Sequence, residues 1–213
     1  MAPRLANART RLLEAARDVI RAKGFCATSV DDLCKAAGVT KGAFFHHFKS
    51  KEELGVAAAD FWSETTSALF AGAPYHRPED PFDRLIAYLE FRKELLAGDL
   101  PDFTCLVGTM TQEVYDSAPA IREACNASIC GHAMTLVDDI RAAMAAHGLS
   151  GITPESLALH TQAVIQGAFI LAKAQGSADI AADSIDHLIR YVRLLFSSPA
   201  ASQKEPGNDL PQR

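Results

Sequence analysis

The sequence predicts an all-α protein, and three observations carry that prediction. Apolar residues recur at the helical period through most of the 213-residue chain, as a 3.6-residue repeat requires. Glycine, proline and capping residues punctuate those runs at helix-length intervals. No stretch alternates with the period of two that marks a strand, and neither an internal repeat nor a low-complexity tract is present.

Taken in order, Leu12, Leu13, Ala16, Val19 and Ile20 define a first helix that stops at Gly24. Its other face carries Arg9, Arg11, Arg17, Arg21 and Lys23. Phe25, just beyond, is expected to fold back onto a small core with Leu33, Val39 and Phe48. The stretch Gly24 to Leu54 then organises the rest of the chain. Thr28 or Ser29 caps a helix whose first turn holds Asp31 and Asp32, where the helix dipole favours negative charge. Gly38 supplies the stop, because glycine takes the left-handed conformation without steric cost. Thr40 caps a short helix from Lys41 to Phe48, and Ser50 with Glu53 has the capping-box form that opens the next one. Two helices joined by a glycine-containing turn form a helix-turn-helix, whose second helix enters the DNA major groove.

The run AGVTKGAFFHHFKSKEEL, Ala37 to Leu54, closely resembles the recognition segment of the TetR (tetracycline-repressor-like) family of bacterial transcriptional regulators, and ARTRLLEAARDVIRAKGFCATSVDDLCKAAG resembles the rest of that family's DNA-binding domain. The resemblance is specific over about residues 8–55. It implies that Lys41, Gly42 and Phe45 face base edges, with Thr40, His46, His47 and Lys51 near phosphates. Thr28 and Ser29, at the start of the preceding helix, join the expected DNA-binding set. Lys41 is the best candidate for a base contact, since lysine can donate to guanine O6 and N7. Position 45 departs from the family pattern, which usually has Tyr; Phe45 has no hydroxyl to give, though it can touch a thymine methyl. Neighbouring residues on a helix point about 100° apart, so one metal ion would not easily reach both His46 and His47.

Beyond the head, the helix opened by Ser50 runs to about Phe70 and is the expected connector to the body. Ala71 to Pro81 reads as a loop; Asp80 and Pro81 start a helix reaching Gly98, and LPDF is a second loop. Cys105 to Tyr115 is a helix, and Ser117 near Pro119 begins a long one ending around His147, with Gly131 as a possible bend. Thr153 begins a helix to Gly176, and Asp183 or Ser184 caps the last. The count is about nine, as the resemblance implies. Residues 1–50 are the expected DNA-binding domain, 51–198 a ligand-binding and dimerisation domain, and 199–213 a disordered polar tail.

The net charge of −5 hides a polarity, because residues 1–51 carry +6 and the remainder −11. A basic head on an acidic body suits a protein that presents one end to phosphates. No apolar run approaches the roughly 20 residues of a membrane span, and no secretory signal opens the chain, so a cytoplasmic protein without a membrane partner is expected. Five cysteines, odd in number and without a CxxC pair, indicate neither a disulfide framework nor a zinc site; a redox role for Cys105, Cys125 or Cys130 stays open.

The last two helices are expected to build a homodimer interface through Leu157, Val164, Leu171, Ile185, Leu188, Val192 and Phe196, because the final stripe is broad and little chain remains to cover it. Phe91, Phe103, Cys105, Met110, Tyr115, Met134 and Phe169 are candidates to line an effector pocket, with Gln112, Glu113, Thr161 or Gln166 orienting the ligand's polar end. Members of the family bind effectors in this region, and that tilts the reading from core toward pocket. No catalytic, cofactor or metal motif appears. The resulting expectation is a homodimeric regulator, released from a palindromic double-stranded operator by a small molecule. Two other readings stay open. A helical interaction protein with a degenerate head predicts no salt-dependent DNA binding, and an enzyme predicts activity that survives deletion of residues 1–50.

Overall fold

A computed structural model describes residues 7–197; the tail expected to be disordered lies outside them. Every regular element among the described residues is helical: α1 (Ala8–Lys23), α2 (Val30–Ala37), α3 (Lys41–His47), α4 (Lys51–Ala71), α5 (Pro81–Glu94), α6 (Leu100–Phe103), α7 (Leu106–Val114), α8 (Pro119–Met134), α9 (Val137–His147), α10 (Pro154–Gln175) and α11 (Asp179–Ser197). A 3-10 turn, Pro74–His76, lies in the loop before α5.

The two helices beyond the expected nine have local causes. LPDF coils into α6, because Asp99 and Asp102 form a capping box around it. The long helix expected up to His147 is two. It does not bend at Gly131, through which α8 runs on; it ends where Thr135 and Leu136 bond back three residues, to His132 and Ala133. The Thr135 hydroxyl also donates to the His132 carbonyl at 2.7 Å, taking an acceptor the helix would have used. The last helix begins at Asp179 rather than at Asp183, and Ser184 lies inside it with its hydroxyl on the Ile180 carbonyl.

The helix-turn-helix forms as its capping residues dictate. Ser29 and Asp32 close a capping box on α2, and Gly38 takes φ +61° to end it. Thr40 accepts the Ala43 N–H to start α3. Ser50 accepts the Glu53 N–H to start α4, while the Glu53 carboxylate reaches back to Lys49 N–H at 2.7 Å.

Two apolar cores hold the molecule. The first gathers Leu12, Ile20, Phe25, Leu33, Phe44 and Phe48 from the head with Leu54 and Ala58 of α4, and it continues into Leu106 and Met110 of α7 and Ile121 and Cys125 of α8. The second joins Tyr88 and Leu89 of α5, Ile140 of α9, Ile165 of α10 and Ile185 and Val192 of α11. Gly55 sits where α4 crosses the first core. A Cβ there would lie 2.8 Å from Ile121 Cδ1 and 2.9 Å from Phe25 Cε2, so only glycine fits without movement. No helix among the described residues is long and apolar enough to cross a membrane.

Candidate nucleic-acid interface and internal cavity

Helix α3 is pinned by the buried rings of Phe44 and Phe48, and its remaining side chains stand outward. Lys41, Gly42, Phe45 and His46 are exposed and His47 is half-buried. Phe45 is 56% exposed, a large apolar ring left in water on a short helix. Lys41 Nζ lies 2.8 Å from Asp31 Oδ1 of α2, an exposed pair that sets the lysine at the start of α3. His46 and His47 stack edge-on, with ring centroids 4.9 Å apart. Among the described residues no group of three potential metal ligands exists.

Four residues of the expected DNA-facing set have structural duties in the head, beginning with exposed Thr40, whose hydroxyl caps α3. Thr28 is buried and donates to the Gly24 carbonyl at 2.6 Å, so it does not face DNA. Ser29 is exposed, but its hydroxyl serves the α2 capping box. Lys51 turns inward: Nζ donates to the carbonyls of Phe25 and Thr28 at 3.0 and 2.9 Å and lies over the Phe25 ring. A cation that satisfies two loop carbonyls ties the α1–α2 turn to α4, and a phosphate would have to compete with them. The arginines of α1 are also engaged, Arg9 over Phe48 and Arg11 on the Gly38 carbonyl.

In the body, a cavity of about 150 Å³ opens between α4, α5, α7, α8 and α10. Of the expected lining residues, Phe103, Cys105, Gln166 and Phe169 meet there. Four others do not. Met110 is fully buried in the first core. Tyr115 and Met134 are exposed, and Phe91 packs outside the cavity against Phe70 and Tyr75. The polar candidates divide too: Glu113 binds Cys26 N–H, Thr161 and Gln112 bond to their own helices, and only Gln166 reaches the cavity.

Sequence reasoning missed Trp62, Arg92, His132 and Gln162, all of which line the cavity. The signal was present in the register. Arg92 follows Leu85, Tyr88 and Leu89 on the apolar face of α5, and His132 follows Cys125 and Ser128 on that of α8. A polar residue in the apolar register of an amphipathic helix is turned toward the interior rather than toward water. On one wall, Gln162 Nε2 donates to the Tyr88 hydroxyl at 2.9 Å, whose own proton is then available to His132 Nε2 at 3.0 Å. Burial pushes the His132 imidazole down to about 4, with the Arg92 charge adding to the effect, so the ring is neutral near pH 7. Burial raises the Cys125 thiol to about 11, which makes it an inert core residue.

The expected dimer stripe is corrected. Leu157, Ile185, Leu188, Val192 and Phe196 are buried inside their own subunit, where α5 and α9 cover them. Sequence gave no sign of that cover, because α5 lies about a hundred residues upstream in the chain. Leu171 is exposed and Val164 half-buried. The face left open carries Leu159, Ala163, Ile170, Leu171 and Ala174 on α10, with Tyr191 on α11 beside it.

These features define a helix-turn-helix DNA-binding regulator with a helical body. The family model described as bacterial regulatory proteins of the tetR family matches residues 12–58, and that of the LmrA/YxaF-like transcriptional regulator C-terminal domain matches residues 81–182. The Escherichia coli K12 transcriptional repressor NemR is 24% identical over 199 residues, covering 91% of this chain and 96% of that protein. The transcriptional regulator AcuR of Cereibacter sphaeroides is 30% identical over 113 residues, 53% of this chain, and the match spans only 52% of that relative's length. Among solved structures, a TetR regulatory protein from Rhodobacter sphaeroides superposes with a TM-score of 0.77 at 26% identity, covering 87% of this chain and 99% of that one. A TetR regulator from Chloroflexus aurantiacus gives 0.75 at 26% identity, covering 87% and 94%. The chain belongs to the TetR family of bacterial transcriptional regulators.

Proposed function

We propose that the protein is a homodimeric repressor that holds a palindromic operator through α3 and releases it when a small molecule fills the cavity. One observation carries the coupling. The Arg21 guanidinium of α1 donates to the Asp102 carbonyl at 3.0 Å, and Asp102 lines the cavity. Arg21 also lies over Trp62, a second lining residue, on α4. A ligand that shifts α6 or Trp62 therefore moves the helix that carries the head.

The open face of α10 supports the dimer. Gly167 stands in the middle of the Leu159, Ala163 and Ile170 stripe with open space beyond it, which lets a partner helix approach closely. Two heads so joined must reach major grooves about 34–36 Å apart or a multiple of that, so small displacements change affinity. A coupling of about 1–3 kcal/mol is typical of such switches, and operator DNA then weakens ligand binding by the same factor. Such a regulator works in the cytoplasm, where its operator is.

The test is fluorescence anisotropy on DNA flanking the protein's own gene, across a salt series. Sequence-selective binding with a steep salt slope is expected. Binding that is equal on scrambled duplex removes the reading. In Arg21→Met, operator binding should persist while release by ligand weakens.

A further inference from the structure

We propose that the cavity selects a small apolar molecule carrying a carboxylate-type anion, with the Arg92 guanidinium as its counter-charge. The inference rests on the cavity being the effector site and names the chemistry that site takes.

Arg92 is half-buried on α5, in register with Leu85, Tyr88 and Leu89. A cation that has given up part of its hydration there gains from an anionic partner. No carboxylate among the described residues forms an ion pair with it, whereas Arg84 and Lys93, its neighbours on α5, pair with Asp139 and Asp186. Arg92 instead lies over two rings of the cavity wall, Phe70 at 5.2 Å and Phe169 at 5.8 Å. The rings stabilise the charge, yet they offer no oxygen to its N–H groups. A planar fork with donors to spare, held between aromatic faces, matches the two oxygens of a carboxylate.

The other polar groups of the wall leave this role to Arg92. His132 is neutral and its Nε2 is on Tyr88, and the Gln162 amide donates to the same hydroxyl. Asp102, the acidic lining residue, is exposed, and its carboxylate accepts the Asp99 N–H at 2.9 Å. The remaining lining, including Leu95, Leu96 and Val107, is largely apolar. A volume of about 150 Å³ is the room that holds a benzene ring in an engineered cavity, so the ligand's body is about one ring or a short chain.

Three molecules of one shape separate charge from fit: benzoate, benzamide and benzamidine. Calorimetry with the full-length protein should show benzoate binding at least about tenfold tighter than benzamide, with benzamidine weakest. Arg92→Gln should bring benzoate down to the level of benzamide. A second readout needs no affinity at all. Cys105 lines the same cavity, so its alkylation by iodoacetate relative to iodoacetamide, followed by peptide mass spectrometry, reports the local charge on reagents of one size. The anionic reagent should be favoured at Cys105 over exposed Cys26 in the parent, and that preference should vanish in Arg92→Gln. Equal ratios at both cysteines in the parent, or a preference for benzoate or iodoacetate that survives in Arg92→Gln, overturn the proposal. Operator release is scored separately. Benzoate bound through Arg92 without any effect on operator affinity would sink the effector reading alone, whereas a neutral molecule that releases operator equally well from Arg92→Gln would sink the anion assignment alone.

Discussion

Glu113 of α7 accepts the backbone N–H of Cys26 at 2.7 Å and lies directly over Gly24, where a Cβ would collide with its carboxylate. The turn between the first two helices of the head is thus clasped by a side chain from the body. Gly24 makes this possible twice, through its φ of +91° and through the space its missing side chain leaves.

Glu113→Ala should cost about 1.5–3 kcal/mol of stability, the range for a hydrogen bond to a charged group. Gly24→Ala should cost more than that, since it adds a strained φ to the collision. Urea denaturation of both variants reads the difference. Parent-like midpoints for both would mean the clasp contributes nothing.

Lys41 and Lys51 should separate by assay. Lys41→Ala should weaken operator binding by about 1–3 kcal/mol with little effect on stability, because its exposed pair with Asp31 contributes little. Lys51→Ala should lower stability by about 1–2 kcal/mol, since it orphans two carbonyls and empties the space over Phe25. Thermal melts and operator titrations of each variant decide. A Lys51→Ala protein as stable as its parent would return that residue to the phosphate contacts.

Ile170→Glu should give a folded monomer, and Val192→Glu a protein that does not fold. Ile170 is 46% exposed on the open α10 face, while Val192 is 1% exposed in the second core, where an unpaired charge is not tolerated. Sedimentation with circular dichroism separates the cases. An Ile170→Glu dimer of parental affinity would move the interface elsewhere.

His132 predicts a pH dependence with a definite sign. Its folded value, about 4, lies below the ordinary 6.5, so the unfolded chain takes up the proton first. Its neutral ring contributes stability that is fully present above pH 6.5 and is lost as pH falls toward 4. The loss is about 1–3 kcal/mol, the lower end allowing for partial solvent access. His132→Gln should flatten the stability profile over that window relative to the parent. Identical profiles would show that the ring accepts a proton freely in place.

The head was legible in the sequence because its signals are local. Ser29, Gly38, Thr40 and Ser50 fix their caps by chemistry confined to a few neighbouring residues. The last helix shows the opposite case. Its apolar stripe was plain, but whether α5 or a second copy covers Val192 depends on where residues a hundred positions away pack. The inward contacts of Lys51 are illegible for the same reason, since its partners are two carbonyls that only the folded turn brings within reach. Arg92 and His132 are visible as polar residues in apolar registers, a pattern that neither the aromatic and sulfur-bearing candidates nor Gln112, Glu113, Thr161 and Gln166 represent.

The first core does not end where the head does. Leu106, Met110, Ile121 and Cys125 complete an interior that begins with Leu12 and Ile20, so the DNA-reading part is not a cassette. A chimera joined at residue 50, carrying this head on another regulator's body, would need matching α7 and α8 surfaces to close that interior. Engineers who wish to retarget such a regulator should therefore exchange the outward side chains of α3 and leave the rest of the head with the body it was packed against.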